Sequence, residues 1–143
     1  MRKIVISAVL AATLVAPIMA SATETVDKVL ITLTSAEQQT RGMAMVLGNM
    51  MQAKGAKVSV LLCDSAGDMA LKEHKSEPLK PKNVTPEQLL QKLISGGAKV
   101  DVCALYLPNK GVGMEALLDG VGAAKPPVMA AALIDQDTRV FNF

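Results

Sequence analysis

Two cysteines carry the most versatile chemistry in this chain. Cys63 and Cys103 each follow a short apolar run, and a thiolate at either position can act as a nucleophile or bind a soft metal ion. The single histidine, His74, lies in a lysine-rich segment far along the chain from Cys103. A Cys-His catalytic pair would need that segment to fold over the thiol. The paired ligand spacings of a zinc site are missing from the sequence, so we expect no bound metal of that type and no cofactor.

Strand and helix patterns alternate along the chain. Short β-branched runs predict strands at 26–33, 57–63, 100–105, 120–124 and 138–143. Between them, capping residues and apolar periodicity predict helices that begin near residues 35, 68, 85, 114 and 126. A loop containing Pro and Gly is predicted at 107–113. Strands that alternate with helices predict a single α/β domain with a largely parallel sheet over residues 23–143.

Two of the predicted helices have specific residues at their starts. Thr85 and Gln88 fit a capping box with Pro86 at the first helical position, and this helix is predicted to end at Gly96-Gly97. For the first helix, Ser35 with Gln38, or Thr34 with Glu37, fits the same motif. Gly55 is predicted to end that helix.

The first helix has an apolar face rich in methionine. Met45 is predicted to point away from this face, whose members recur at helical spacing and are Met43, Val46, Leu47, Met50 and Met51. We interpret the face as core packing together with one contact between subunits, because Met fills irregular gaps. A Met-rich copper site is the alternative.

The polar residues that follow the predicted strands define a candidate site. In open α/β sheets, ligands bind beyond the carboxyl ends of the strands. The carboxyl end of the first strand carries Thr34 and Ser35, and that of the second carries Cys63, Asp64 and Ser65. The end of the third carries Cys103 with the loop that starts at Tyr106. A nucleotide-binding glycine motif is absent from the sequence. We therefore expect a site for a small ligand or a thiol reaction at this edge of the sheet.

The first 22 residues have the features of a secretory signal peptide. Arg2 and Lys3 precede the apolar run Ile4–Ala16, and cleavage is predicted after Ala22 or, as the second choice, after Ala20. The run is shorter than the ~20 residues of a spanning helix, so we expect a soluble periplasmic protein with no stable membrane anchor. Arg2 and Lys3 account for the formal net charge of +2. A neutral, aromatic-poor mature chain argues against nucleic-acid binding.

Several segments of the chain resemble the DsrE/DsrF-like proteins of the sulfur-relay type. The resemblance covers 26–143 and rests on the opening strand and helix, on Val100-Asp101-Val102-Cys103 followed by Gly111, and on Leu117-Leu118-Asp119-Gly120-Val121. The segments 126–134 and 137–140 look like the exported branch of that family.

The resemblance implies a fold, an assembly and a reactive residue. The implied fold is flavodoxin-like, a three-layer α/β domain whose five-stranded, mainly parallel sheet is flanked by helices. The implied assembly is a homo-oligomer, a trimer or hexamer. Cys103 matches the cysteine that carries persulfide sulfur in the relay members, which exchange sulfur with donor and acceptor proteins. Lys110 and Gly111 would shape its pocket, and Lys110 would favour the thiolate.

Two further expectations concern the cysteine pair. In a flavodoxin-like strand order, the first strand lies between the second and the third, so two strand spacings of ~4.8 Å would separate Cys63 from Cys103. That exceeds the ~7 Å limit for bridged Cα atoms, and no disulfide is expected. The alternative to a sulfur carrier is a non-enzymatic periplasmic binding or assembly module that binds Cu(I) through Cys63, Cys103 and methionines.

Overall fold

The computed structural model describes residues 27–143, and the predicted signal peptide lies outside them. A 3-10 segment, Asp64–Ala70, and a short 3-10 turn, Met114–Ala116, connect elements of the fold. The strands are β1 (Lys28–Leu33), β2 (Lys57–Leu62), β3 (Lys99–Val102), β4 (Val121–Ala123) and β5 (Thr138–Asn142). The helices are α1 (Gln38–Ala53), α2 (Pro86–Ser95), α3 (Tyr106–Lys110) and α4 (Pro126–Ile134). The predicted alternation of strands and helices is confirmed.

All five strands are parallel and form one sheet in the order β4-β3-β2-β1-β5. The α/β class and the five-stranded sheet are confirmed, but the expected strand order is wrong. β2 pairs directly with β3, with Leu62 opposite Val102, instead of being separated from it by β1. The pairing of β1 with both β2 and β5 places β1 between those two strands.

The two faces of the sheet are covered unequally. One face packs against α1 and α2 in the main core, which includes Met45, Leu62, Leu90 and Leu93, all 0% exposed. The other face has a smaller cluster of Leu30, Leu61 and Ala124, against which Met129 and Ala132 of α4 pack. Apolar side chains of α4 lie exposed on its outer side, among them Val128 and Ile134.

Helix α1 packs on the core with a different side from the predicted one. Met45 is completely buried, whereas Met50 is 55% exposed and Met43, Val46 and Leu47 are also exposed. The residues that face the core are mostly small, and a Cβ at Gly48 would lie 3.1 Å from Ile31. Close approach of the helix to the sheet therefore selects the small residues and leaves the larger apolar side chains outside.

The helix caps follow prediction in α2 and depart from it in α1. The Gln88 amide donates to Thr85 Oγ1 at 3.2 Å, and the Thr85 amide donates to Gln88 Oε1 at 2.9 Å. In α1, neither predicted capping box forms; instead, the Glu37 amide donates to Ser35 Oγ at 3.0 Å. The segment predicted as a loop after β3 contains α3, which ends at Gly111 with a left-handed φ of 73°.

Within residues 27–143, no helix is both long enough and apolar enough to cross a membrane.

Candidate functional site

A cleft of about 440 Å³ opens at the carboxyl ends of β2 and β3. The 3-10 segment after β2 forms one wall and α3, after β3, forms the other. Cys103, which directly follows β3, lines the cleft. The other lining residues are Asp64, Ser65, Asp68, Leu105, Tyr106, Asn109 and Lys110.

Asp68 joins the two walls of the cleft. Its Oδ1 accepts a hydrogen bond from the Tyr106 hydroxyl at 2.6 Å and lies 2.7 Å from Lys110 Nζ. Burial opposes ionisation of Asp68, but the bonds from Lys110 and Tyr106 outweigh it and lower its pKa. The carboxylate therefore stays ionised at neutral pH, and the stability it contributes is lost only as the pH falls below its ordinary pKa of 3.8.

Tyr106 anchors α3 to the core. Its side chain is buried, and Gly67 lies so close that a Cβ there would overlap the ring. Burial and the hydrogen bond to Asp68 raise the pKa of Tyr106 well above its usual value of 10. Tyr106 is thus a neutral hydrogen-bond donor that fixes Asp68, rather than an acid that would exchange protons at neutral pH.

Arg41 holds the loops that follow β1 and β2. Its Nε donates to the Ser35 carbonyl at 2.7 Å and its Nη2 donates to the Ser65 carbonyl at 2.6 Å. The side chain is buried beneath these loops. Because charged donors make strong bonds to carbonyl oxygens, Arg41 fixes the position of Ser65 in the cleft wall.

The two cysteines lie side by side. Cys63 follows Leu62 and Cys103 follows Val102, which are partners in the β2/β3 register. Burial, followed by a hydrogen bond with Cys103 and the electrostatic influence of Cys103 and Asp64, raises the pKa of Cys63 to about 12. The expectation of a two-strand separation was wrong because it depended on the wrong strand order.

The predicted site residues divide into two groups. Cys103, Asp64, Tyr106 and Lys110 line the cleft, with Cys63 beside Cys103. Two others lie outside the lining. Ser35 Oγ accepts a hydrogen bond from the Glu37 amide before α1, and Gly111 ends α3. The Lys110 ammonium pairs with Asp68, so part of the positive charge expected to act on Cys103 is neutralised.

His74 makes its contacts away from the cysteines. Its Nε2 lies 3.3 Å from Glu87 Oε1 and 3.4 Å from Ser76 Oγ. Both contacts use the same ring nitrogen, and Ser76 also donates directly to Glu87 at 2.6 Å. The lysine-rich segment thus brings His74 to a carboxylate of α2 rather than to a thiol.

Arg41 and Asp68 are the site residues that sequence reasoning missed. Asp68 and Tyr106 are 38 positions apart, and no spacing rule connects them. Arg41 lies on the side of α1 that faces the core, and because periodicity assigned the core to another side of this helix, no sequence signal pointed to its buried role.

Comparisons with known proteins identify the fold. No protein-family model matches the chain, and no curated protein matches it in sequence. The crystal structure of the YchN protein from E. coli superposes with a TM-score of 0.64 at 20% identity, covering 82% of this chain and 99% of YchN. The chain has a DsrE/DsrF-like fold. MTH1491 of Methanobacterium thermoautotrophicum, whose structure is titled a protein of unknown function, superposes at 0.63 with 11% identity over 81% of this chain and 98% of its own.

The side chains around Cys103 determine whether a metal ion could bind there. Within residues 27–143, no group of three or more His, Cys, Asp and Glu side chains is arranged to hold a metal ion. The cleft offers the Cys103 thiol beside a partly exposed carboxylate–lysine pair.

Replacing Asp68 tests the electrostatic role of that pair. Asp68→Asn should accelerate alkylation of Cys103 about threefold at neutral pH, because an unpaired Lys110 ammonium favours a nearby thiolate. The measurement is the iodoacetamide rate in a Cys63→Ser background. Asp119→Asn is the matched control, since Asp119 is exposed and pairs with Lys72 at 3.7 Å. An unchanged or slower rate for Asp68→Asn contradicts the prediction.

Proposed function

We propose that this chain is an exported sulfur carrier that holds sulfane sulfur as a persulfide on Cys103. The observation that carries the proposal is the position of Cys103, which lines a cleft large enough for a small sulfur donor. The fold and the motif around Cys103 support it. Export is part of the proposal through the predicted signal peptide.

The reaction with an inorganic donor is a nucleophilic transfer. The Cys103 thiolate attacks the outer sulfur of thiosulfate, a new S–S bond forms, and sulfite leaves with the electron pair of the broken bond. Lys110 and Asn109 line the cleft beside Cys103 and supply hydrogen-bond donors for an anionic donor. A thiol on an acceptor protein would then remove the sulfur.

Intact-mass spectrometry tests the persulfide. Incubation of the reduced protein with thiosulfate or polysulfide should add ~32 Da, the mass of one sulfur atom. Cys103→Ser should abolish the adduct and Cys63→Ser should retain it, so the two variants serve as matched controls. The proposal fails if the wild type and Cys63→Ser both stay unmodified under conditions that load a known carrier.

A homo-oligomer, trimeric or hexameric, is the second part of the proposal. Met43, Val46, Leu47 and Met50 form an exposed apolar stripe on α1, and contiguous apolar patches of this kind mark interfaces. The resemblance to DsrE/DsrF-like proteins favours a second copy of the chain as the occupant.

Light scattering coupled to size exclusion measures the assembly. Met50→Lys should shift the wild-type oligomer toward smaller species because it places a charge in the stripe. Met114→Lys is the matched control, since Met114 is similarly exposed at 50% and lies outside α1. A monomeric wild type, or an equal effect of both substitutions, contradicts the oligomer proposal.

Binding of Cu(I) as cargo is the second candidate function. The adjacency of the two thiols favours it, and Met129 packs on the same small cluster as both cysteines. Thiolate and thioether sulfur are ligands that Cu(I) prefers. An anaerobic Cu(I) titration should lose its tight phase in the Cys63→Ser/Cys103→Ser double variant, and an unchanged affinity excludes a cysteine site.

A further inference from the structure

The sheet holds the two cysteines at a distance suited to a covalent bond. The Cys63 amide donates to the Leu33 carbonyl at 2.9 Å, and the Cys103 amide donates to the Leu62 carbonyl at 2.8 Å. These bonds continue the pairing of β1 with β2 and of β2 with β3 by one residue. Neighbouring positions across a sheet lie ~4.8 Å apart, inside the ~4.4–6.8 Å range of bridged Cα atoms.

Both side chains also point toward the same cluster. Side chains at paired positions lie on one face of a sheet, and Cys63 and Cys103 both pack against Leu30, Leu61 and Ala124. Both are half-buried free thiols in this structure. A disulfide between them would close without moving either strand to another partner.

The two thiols differ in access and in protonation. Cys103 lines the cleft, whereas Cys63 is absent from the described lining residues. Burial and the proximity of Cys103 keep the Cys63 thiol protonated at neutral pH. An accessible thiol backed by a second, protonated thiol is the arrangement that a two-step exchange requires.

We propose that Cys63 and Cys103 form a dithiol–disulfide couple that exchanges with disulfide substrates bound in the cleft. The Cys103 thiolate attacks one substrate sulfur, forming a mixed disulfide and releasing the first substrate thiolate. That thiolate takes the proton of Cys63. The Cys63 sulfur then attacks Cys103 Sγ, closes the Cys63–Cys103 bond and releases the second thiolate, which is protonated by solvent. The two cysteines are oxidised and one substrate disulfide is reduced to two thiols.

The exchange requires no sulfane sulfur and therefore goes beyond the persulfide proposal. It assigns Cys63 the role of resolving nucleophile. It also predicts competition, because the closed disulfide removes the Cys103 thiol from persulfide formation.

Oxidised glutathione is the probe, with intact mass after quenching and alkylation as the measurement. The reduced wild type should lose about 2 Da and resist iodoacetamide, whereas Cys63→Ser should stop at a mixed disulfide on Cys103, about 305 Da heavier. Cys103→Ser should react at least about tenfold more slowly than Cys63→Ser, since its remaining thiol stays protonated. Peptide mapping of the oxidised wild type should find the Cys63–Cys103 cross-link directly, which gives evidence that does not depend on the variants.

Three results would overturn the couple. They are a wild type that accumulates the mixed disulfide as Cys63→Ser does, an oxidised wild type that maps without the cross-link, and a Cys103→Ser variant that reacts as fast as Cys63→Ser. Thiosulfate plays no part in this experiment, so its outcome is separate from that of the persulfide test.

Discussion

Arg41→Ala should lower the free energy of unfolding by about 3 kcal/mol, because two hydrogen bonds from a charged donor are lost and their carbonyl acceptors lose that partner. Those acceptors belong to Ser35 and Ser65. The loss should also loosen the cleft wall, so amide hydrogen exchange should rise in the 3-10 segment Asp64–Ala70. Urea unfolding with hydrogen exchange read by mass spectrometry measures both effects.

Two variants distinguish the effect of the Arg41 hydrogen bonds on stability from the effect of removing a positive charge. Arg41→Lys keeps the cation but replaces the two-pronged guanidinium, so it should lose a smaller part of the stability. Arg139→Ala removes an exposed arginine from β5 and should change stability by less than about 0.5 kcal/mol. Equal losses for Arg41→Ala and Arg139→Ala would show that the buried bonds contribute nothing.

Leu62→Ala should cost about 3 kcal/mol of unfolding free energy, through lost burial and the cavity left in the core. Leu62 is 0% exposed and directly precedes Cys63, on the strand that pairs with β3. The same substitution should weaken the constraint that aligns the two cysteines, so disulfide closure with glutathione should slow as well.

Leu105→Ala is the matched control for this cavity. The chemical change is the same, but Leu105 is 71% exposed, and its removal should change stability by less than about 0.5 kcal/mol. Urea titrations of both variants give the comparison. A Leu62→Ala variant as stable as Leu105→Ala would mean that β2 is not central to the core.

The local structure of the chain could be predicted wherever the residues of a short segment form the stabilising contacts among themselves. Thr85, Pro86 and Gln88 satisfy the backbone groups of one helical turn among themselves, so the start of α2 needs no distant partner. The start of the first helix, in contrast, depends on a residue far along the chain. Gln38 donates to the Glu77 carbonyl, 39 positions away, and this distant contact replaces the predicted cap.

Periodicity predicted that α1 is amphipathic but not which side packs on the core. Hydrophobicity marks large apolar residues such as Met50, while the sheet-facing side is decided by how closely the helix approaches. Gly48 permits that approach, and glycine carries no signal on a hydrophobicity scale. Two surfaces of different character thus share one helix.

Strand order lies beyond what local sequence encodes. A parallel crossover can place its next strand on either side of the previous one, and the runs that form β2 and β3 would look the same in both orders. The adjacency of Cys63 and Cys103, on which the thiol chemistry depends, follows from that choice alone. The cluster of Asp68, Tyr106 and Lys110 likewise exists only after β2 and β3 are placed together.

The sheet order has a consequence for how the chain folds. Strands β1 to β4 pair in the order in which they are made, whereas β5 pairs with β1 across 110 residues, Thr138 opposite Lys28. Closing a long loop costs chain entropy before any contact offsets it. We expect β5 to join a sheet that β1 to β4 have already formed. The ends of β2 and β3, which Cys63 and Cys103 directly follow, should therefore be assembled before the last strand docks.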